Sequence, residues 1–386
     1  MKVSPRIVLA ALLLLSACGG GGTPANSPGD GGSTGGRSYD FSAFEAEVEA
    51  FLAETDDVEG AGAIIVHRDD GVVFQRGFGD YAEDRISLIA SSSKMVSAGI
   101  LLRLQDQGLL DMNEPIVAAV GEWGDANPDI TPAQLVSNSS GLVGLGPEPT
   151  YGPYLCQFLY TGTLQDCARQ IFTTEQDDAD VIPPDTQFRY GGAQWQVAGA
   201  VAEIVSGKSW HELVQETYVE PCGLTALGYN SHFVQVSAPD GNLFGYPAGF
   251  DGDPGNLLPT DNPNMEAGVY TDMADYGALL LMHLRGGLCG DNRVLSEDAV
   301  RQLHADRIGE AYGGSAGVQT GYGMGWWIDR FGGSRILDPG AYGSTAWLDE
   351  DRGYGGFLVI ERTSGRGRVL FERTIGLLDA AIDGAD

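Results

Sequence analysis

Hydrophobic residues follow two different periods along the chain, and each period predicts its own kind of element. Over 41–52, apolar positions three and four residues apart are separated by acidic ones, which predicts an amphipathic helix. Short apolar runs at 63–66 and 72–74 predict two strands, and an Asp-Gly pair between them predicts a hairpin turn. A further apolar run predicts a helix over 91–107.

The central part of the chain reads as mainly helical, and strand patterns return near the C-terminal end. Strongly apolar helices are predicted at 195–205 and 274–284. The later strands are predicted at 325–328, 345–348 and 356–360, and a closing helix at 369–382.

Strands at both ends and helices between them predict one α+β domain over 39–386, an α/β sandwich. A single antiparallel sheet would combine strands from 39–109 and 320–386, with helices on its faces. The segment 110–319 would form an inserted, mainly helical part. We expect an active site at the boundary between the two parts.

The first 17 residues have the form of an export signal. Two basic residues precede a short apolar run, which ends at a Leu-Ser-Ala-Cys sequence that resembles a bacterial lipobox. This resemblance implies cleavage before Cys18 and lipid attachment to it; an ordinary secretory signal is the alternative. Residues 18–38 predict a flexible, glycine-rich tether. We therefore expect a lipoprotein of the cell envelope, anchored to a membrane and facing the periplasm or the exterior.

Four further cysteines are expected to form two disulfide bonds, because an even number in an exported protein is typical of disulfide bonding. Cys156 and Cys167 are close in sequence and bracket one loop, so we pair them. Cys222 and Cys289 would then form the second bond. The five histidines show no ligand spacing, so neither a metal site nor a cofactor is predicted.

The charge of the chain limits its partners. The 386 residues are 43% hydrophobic and carry a net charge of −31, so a sizeable core is expected and nucleic acid is not an expected partner. The acidity favours a soluble, self-repelling surface, and we expect a monomer that acts on a small-molecule or peptide substrate.

Ser91 and Lys94 form the strongest candidate for chemistry. Residues three apart share a helix face, so the hydroxyl and the amine can approach each other, as a serine nucleophile and its base require. The alternative is a helix-capping serine beside a solvated lysine. A chance match is less expected here than in a lysine-rich chain, because only three lysines occur.

Seven segments in order resemble the penicillin-recognising serine hydrolases, a family with class C β-lactamases, D-alanyl-D-alanine peptidases and family VIII carboxylesterases. The resemblance runs from about residue 41 to the C-terminal end. The segments are ASSSK at 90–94, QLVSNSSGL at 134–142, PDTQFRYGG at 184–192, EPCGLT at 220–225, AGVYT at 267–271, YGMGW at 322–326 and DPGA at 338–341.

The resemblance implies a β-lactamase/transpeptidase-like fold and a role for each matching position. Ser91 would be the nucleophile, and Lys94, with a pKa lowered by burial, would accept its proton. Tyr190 would pass a proton to the leaving group; the alternative is a packed aromatic side chain. Gly340 would let a strand approach the substrate, and the N–H groups of Ala341 and Ser91 would form the oxyanion hole.

Two positions depart from the family pattern, and both lie among the expected substrate contacts. Gly192 replaces an asparagine that touches the lysine and the substrate amide, and Asp338 replaces a histidine or lysine that attracts a substrate carboxylate. An aspartate there would repel a carboxylate by about 1 kcal/mol or more. The departures favour neutral or cationic esters or amides.

A second serine competes for the nucleophile's role. Ser315 lies in a Gly-x-Ser-x-Gly sequence, which requires a strand before it and a helix after it. Here it lies in a glycine-rich loop with no histidine after it, so we do not expect it to react.

Three hypotheses remain open from the sequence. The first is an exported serine hydrolase that forms an acyl-enzyme at Ser91 and acts on ester or peptide substrates. The second is a β-lactamase or D,D-peptidase. The third is a non-catalytic binding relative in the cell envelope, in which Gly192 and Asp338 mark a decayed site.

Overall fold

The structure is a computed structural model, and it describes residues 37–123, 127, 129–145, 150–236, 245–308, 320–329 and 333–385. The signal segment 1–17, Cys18, nearly all of the tether and Ser315 lie outside these residues. Among the described residues, no helix is both long enough and apolar enough to cross a membrane.

A seven-stranded antiparallel sheet forms the centre of the domain and combines strands from both ends of the chain. The predicted α+β class and the sheet from both termini are therefore confirmed. In spatial order the strands are β2 (Gly71–Gly79), β1 (Gly60–His67), β12 (Tyr354–Val359), β11 (Thr345–Asp349), β10 (Arg335–Pro339), β9 (Trp327–Asp329) and β8 (Thr320–Tyr322).

Helices cover both faces of the sheet because its central strands are apolar on both sides. Along β1, Ala63 and Ile65 pack with α1 (Ser42–Glu54) and α11 (Ser364–Asp383). Ile64 and Val66 point to the opposite face. There Gly277 of α9 (Met273–Leu284) lies so close that an added Cβ would stand 2.5 Å from the Ile64 side chain.

The remaining elements lie mostly in the central part of the chain. The helices are α2 (Lys94–Asp106), α3 (Val117–Val120), α4 (Pro132–Val136), α5 (Leu164–Phe172), α6 (Ala193–Ser206), α7 (Trp210–Val214), α8 (Glu220–Cys222) and α10 (Glu297–His304). The short strands are β3 (Ser87–Leu88), β4 (Gly228–Tyr229), β5 (Val269–Thr271), β6 (Leu288–Cys289) and β7 (Asn292–Arg293).

Several predictions about individual elements differ from the structure. The predicted strand over 325–328 begins only at Trp327, because Gly325 has φ +88° and lies in a turn against the backbone of Lys94. The helix predicted from Ser91 begins at Lys94, and residues Ala90–Ser93 form a 3-10 turn before it. Helix α9 packs on the central sheet, although the sequence assigned it to the mainly helical part.

Both predicted disulfide bonds are confirmed. Cys156 is bonded to Cys167 across the loop before α5, and Cys222 is bonded to Cys289, joining α8 to β6. The two bonds close loops of very different length, with sequence separations of 11 and 67 residues.

We expect the longer loop to contribute more stability, because a cross-link removes more unfolded-chain entropy when it closes a longer loop. The Cys222→Ser/Cys289→Ser variant should lose about 4 kcal/mol of unfolding free energy, and the Cys156→Ser/Cys167→Ser variant about 3 kcal/mol. Urea denaturation under oxidising conditions measures both. A larger loss for the shorter loop would contradict the expectation.

Candidate active site

Ser91 is held in an unusual backbone turn at the start of α2. Ala90, directly before it, has φ +47°, a left-handed conformation that costs a non-glycine residue roughly 1–3 kcal/mol. Ser91 keeps part of its surface exposed, whereas Ser92 and Ser93 are buried. Of the three serines in the turn, Ser91 is therefore the one that is partly accessible to solvent.

The two buried serines stabilise that turn. The Ser93 hydroxyl donates to the Ala90 carbonyl at 2.6 Å and accepts from the Val269 N–H at 3.0 Å. The Ser92 hydroxyl donates to the Asp338 carbonyl at 2.7 Å. These bonds connect the turn to β5 and β10, so the surrounding sheet strands maintain the strained conformation of Ala90.

Lys94 is fully buried and lies between Ser91 and an acidic side chain that the sequence analysis did not identify. Its Nζ is 3.2 Å from Ser91 Oγ, 3.0 Å from Glu266 Oε2 and 3.2 Å from the Glu266 carbonyl oxygen. Its Nζ also lies 4.5 Å from the centre of the Tyr190 ring. Ser91, Lys94 and Tyr190 are thus brought together.

The charge state of Lys94 differs from the sequence-based expectation. Burial has the largest single effect and lowers the pKa of Lys94, but the Glu266 carboxylate and Tyr190 together raise it by more, and the net pKa lies above the usual lysine value. The expected lowering of this pKa is therefore not found. At neutral pH Lys94 is an ammonium ion paired with Glu266.

Tyr190 is packed by other aromatic rings. It stacks on Trp327 with ring centres 5.4 Å apart and contacts Phe188 and Tyr322. Burial raises the pKa of the Tyr190 hydroxyl, and the opposing effect of Lys94 does not cancel that rise. Tyr190 is therefore a neutral phenol at neutral pH and can donate a proton.

Gly340 allows the end of β10 to approach the nucleophile's turn. An added Cβ would stand 2.1 Å from the Ile89 carbonyl oxygen, so no other residue fits there without a shift of the backbone. Among the described residues, the backbone hydrogen bonds that lie outside helices and strands include none donated by the Ser91 N–H or the Ala341 N–H. Ala341 and Ser91 both keep exposed surface, as an oxyanion hole requires.

Asp338 lies beneath the site and is fully buried. Its Oδ2 accepts from the Met95 N–H at 3.2 Å, near the positive end of α2, while its Oδ1 has no hydrogen-bond partner in the structure. Burial raises the pKa of Asp338 well above its usual value, outweighing the lowering by Lys94. The side chain thus contacts the helix start, and no direct contact with a substrate carboxylate is indicated.

Glu266 occupies the space that a side chain at residue 192 would need. A Cβ added at Gly192 would stand 2.1 Å from Glu266 Oε1 and 2.2 Å from Gln157 Oε1. Both of those side chains are buried. Gly192 is consequently covered by a carboxylate and an amide, and that carboxylate is the one that pairs with Lys94.

A family model described as Beta-lactamase matches residues 44–379, nearly the whole of the described domain. The chain belongs to the beta-lactamase family. Family members are serine hydrolases that act through an acyl-enzyme, which agrees with a partly exposed Ser91 beside Lys94.

Individual relatives are distant and carry different activities in their names. Penicillin-binding protein 4 of Amycolatopsis lactamdurans is 23% identical over 274 residues, covering 68% of this chain and 65% of that protein. The chain thus spans just under two thirds of the length of the curated relatives it matches.

Two solved structures share the fold. The octameric penicillin-binding protein homologue from Pyrococcus abyssi has a TM-score of 0.66 and 20% identity, covering 88% of this chain and 78% of that one. EstCE1, a hydrolase with promiscuous acyltransferase activity, has a TM-score of 0.68 and 18% identity, covering 86% and 98%.

Within this family pattern, Glu266 is the site residue that the sequence analysis missed. It directly precedes the AGVYT segment at 267–271, but it lies 172 residues from Lys94 in the chain. No periodicity or motif connects two residues at that separation. The absent side chain at Gly192 was the available signal, because a missing asparagine leaves space for another group.

We expect the Asp338→Asn variant to be more stable than the wild type at neutral pH. Because the folded-state pKa of Asp338 is raised, folded-state stability falls as pH rises above the unfolded value of about 3.9. Asparagine resembles the protonated acid and still accepts from Met95. Calorimetry at neutral pH should give a higher Tm for the variant, and the difference should close below about pH 4.

The exposed Asp298 provides a matched control for this comparison. It pairs with Arg301 at the surface, so Asp298→Asn should change the Tm little at either pH. An equal Tm for the wild type and Asp338→Asn at neutral pH would show that the buried carboxylate carries no such cost.

Proposed function

We propose that the protein is an exported serine hydrolase that forms an acyl-enzyme at Ser91 and acts on esters or peptide amides. The observation that carries the proposal is the partly exposed Ser91, whose Oγ lies 3.2 Å from the buried Lys94 amine. Family membership supports the same class of reaction.

The proposed reaction gives each of the assembled groups a role. Ser91 Oγ attacks the substrate carbonyl carbon, its proton passes into the Lys94–Glu266 pair, and the N–H groups of Ser91 and Ala341 stabilise the carbonyl oxygen. Tyr190, a neutral phenol beside Lys94, donates a proton to the leaving group and recovers one from Lys94. Water then hydrolyses the acyl-enzyme.

The charges around the site favour neutral or cationic substrates. Glu266 pairs with Lys94, and Asp338 replaces the family's basic residue, so that position supplies no positive charge for a substrate carboxylate. The net charge of −31 repels anions at longer range. Small-molecule esters or peptides with a neutral or positive acyl group fit this environment best.

A β-lactamase or D,D-peptidase activity is the second candidate, and the name of the Amycolatopsis relative favours it. β-Lactams and D-alanyl peptides carry a carboxylate next to the reacting group, for which position 338 offers no cation. Turnover of nitrocefin faster than that of p-nitrophenyl acetate would favour this candidate over our proposal.

We expect Ser91→Ala to lower kcat/KM for p-nitrophenyl acetate by at least about 1000-fold, because no other group replaces the nucleophile. Ser315→Ala tests the competing serine and should leave the rate unchanged. Steady-state kinetics on both variants, with circular dichroism to verify folding, measures the difference. Equal activity of Ser91→Ala and wild type would favour a non-catalytic binding role.

We further propose that the mature chain is a monomeric lipoprotein of the cell envelope, attached through Cys18 and facing the periplasm or the exterior. The lipobox-like sequence before Cys18 and the glycine-rich tether after it support this location. The tether would let the catalytic domain stand away from the membrane surface.

We expect Cys18→Ser to move the protein from the membrane fraction to the soluble fraction, because the thiol is the proposed site of lipid attachment. Fractionation of expressing cells with metabolic labelling by a palmitate analogue measures the change. Processing of the wild type without label incorporation would favour the ordinary secretory signal instead.

A further inference from the structure

The Glu266 carboxylate takes the place that a side chain at residue 192 would occupy. Its Oε1 lies 2.1 Å from the position of a Gly192 Cβ, while its Oε2 contacts Lys94 Nζ at 3.0 Å. Gly192 has φ −79° and ψ −24°, which any residue can adopt. The steric reason for glycine is therefore the Glu266 carboxylate together with Gln157, rather than the backbone conformation.

The resulting ion pair is buried on both sides. The Lys94 side chain is fully buried and that of Glu266 is 6% exposed. Two charges in such surroundings persist when each compensates the other, because an unpaired buried charge is strongly destabilising. Lys94 consequently holds a full complement of protons at rest and has no free electron pair to accept one from Ser91.

The contacts of Lys94 allow it to accept the Ser91 proton even though its amine is fully protonated at rest. Its Nζ contacts Ser91 Oγ and Glu266 Oε2 at 3.2 and 3.0 Å, both within hydrogen-bonding distance. A group between a hydroxyl and a carboxylate can gain a proton from the first while it gives one to the second. The same logic of nucleophile, base and orienting acid operates in hydrolases of unrelated fold.

We propose that Glu266 is the final acceptor of the Ser91 proton, and that Lys94 relays it. As Ser91 Oγ forms its bond to the substrate carbon, its O–H bond breaks and an N–H bond forms on Lys94. A different N–H bond of Lys94 breaks, and an O–H bond forms on Glu266 Oε2. Lys94 keeps its positive charge throughout, and the proton returns through Lys94 when the leaving group departs.

This inference rests on the proposed hydrolase function and adds a residue that acts through Lys94 without touching the substrate. Three other titratable groups face the pair: Tyr190, Tyr322 and Asp338. Burial raises the pKa of each of them. The two phenols therefore stay neutral at neutral pH, and the titration of Asp338 is the one that the experiment must distinguish from that of the Lys94–Glu266 pair.

The pH profile of kcat/KM distinguishes a proton relay from a static counter-ion. In a relay, the active form of the enzyme is the ion pair, with an ammonium group on Lys94 and a free carboxylate to receive the Ser91 proton. Activity is lost when the pair takes up one more proton, so the limiting titration lies on the acid side of neutrality. If Glu266 only raises the pKa of Lys94, activity instead requires a neutral amine. The wild-type rate would then keep rising into the alkaline range.

The Glu266→Gln substitution should change activity at neutral pH, and shift the limiting titration, in opposite directions in the two cases. Under the relay, kcat/KM for p-nitrophenyl acetate at neutral pH falls about 100-fold with KM little changed, and the limiting titration moves to higher pH. Under the static role, removal of the carboxylate lowers the pKa of Lys94, so the titration moves to lower pH and neutral activity rises. That second result would overturn the proposal.

Three further variants complete the test. Glu266→Asp retains a carboxylate and should keep the limiting titration on the acid side. Gly192→Ala places a methyl group against Glu266 Oε1 and should shift the titration as Glu266→Gln does, without altering the acid itself. Asp338→Asn should leave the titration where the wild type has it, and a shift there would assign it to Asp338 and contradict the relay.

Failure of the inference is distinguishable from failure of the proposed function. A wild type without Ser91-dependent ester hydrolysis would remove the function and the inference together. A wild type with Ser91-dependent hydrolysis but a limiting titration in the alkaline range would remove the inference alone. The wild-type profile decides this point even if Glu266→Gln does not fold.

Discussion

The buried ammonium group of Lys94 is the contact around which the site is organised. A lysine with no exposed surface is tolerated because the Glu266 carboxylate and carbonyl, together with the Ser91 hydroxyl, surround its Nζ with acceptors at 3.0 to 3.2 Å. The pair fixes the position of the amine beside the nucleophile. It also keeps the pKa of that amine above its usual value, which shapes every proton transfer available to the site.

Segments from the whole chain are needed to build this arrangement. The nucleophile's turn precedes α2, Tyr190 precedes α6, Glu266 precedes β5, and Gly340 follows β10. The left-handed conformation of Ala90 persists because hydrogen bonds of the buried serines attach the turn to β5 and β10. The seven-stranded sheet, through β10, and the small three-stranded sheet β3-β5-β4, through β5, therefore provide the scaffold and the rigidity that a strained nucleophile requires.

Local patterns were sufficient to predict much of the fold and the central pair of the site. The hairpin of β1 and β2, the sheet from both termini and both disulfide pairs followed from turn residues, strand periodicity and cysteine spacing. Ser91 and Lys94 were accessible because they are three residues apart. Gly325 broke a predicted strand because its tight approach to the Lys94 backbone is a tertiary contact, which no local pattern encodes.

Long-range electrostatics explains what the sequence could not predict. The acidic partner of Lys94 lies 172 residues away, and without it burial alone implied a lowered amine pKa, the opposite of what the structure gives. The role of Asp338 likewise depended on the direction of its side chain, which lies against the Met95 N–H. Position in a motif therefore located Lys94 and Asp338, while their neighbours in space determined their pKa values.

Mass spectrometry of the acyl-enzyme tests the central claim most directly. The wild type is mixed with p-nitrophenyl acetate, quenched in acid before turnover is complete, digested and mapped. The predicted result is an acetyl group on the peptide that contains Ser91, located at that residue by fragmentation. An acetyl group at a different residue, or a protein that turns the ester over with no covalent adduct at any time, would contradict it.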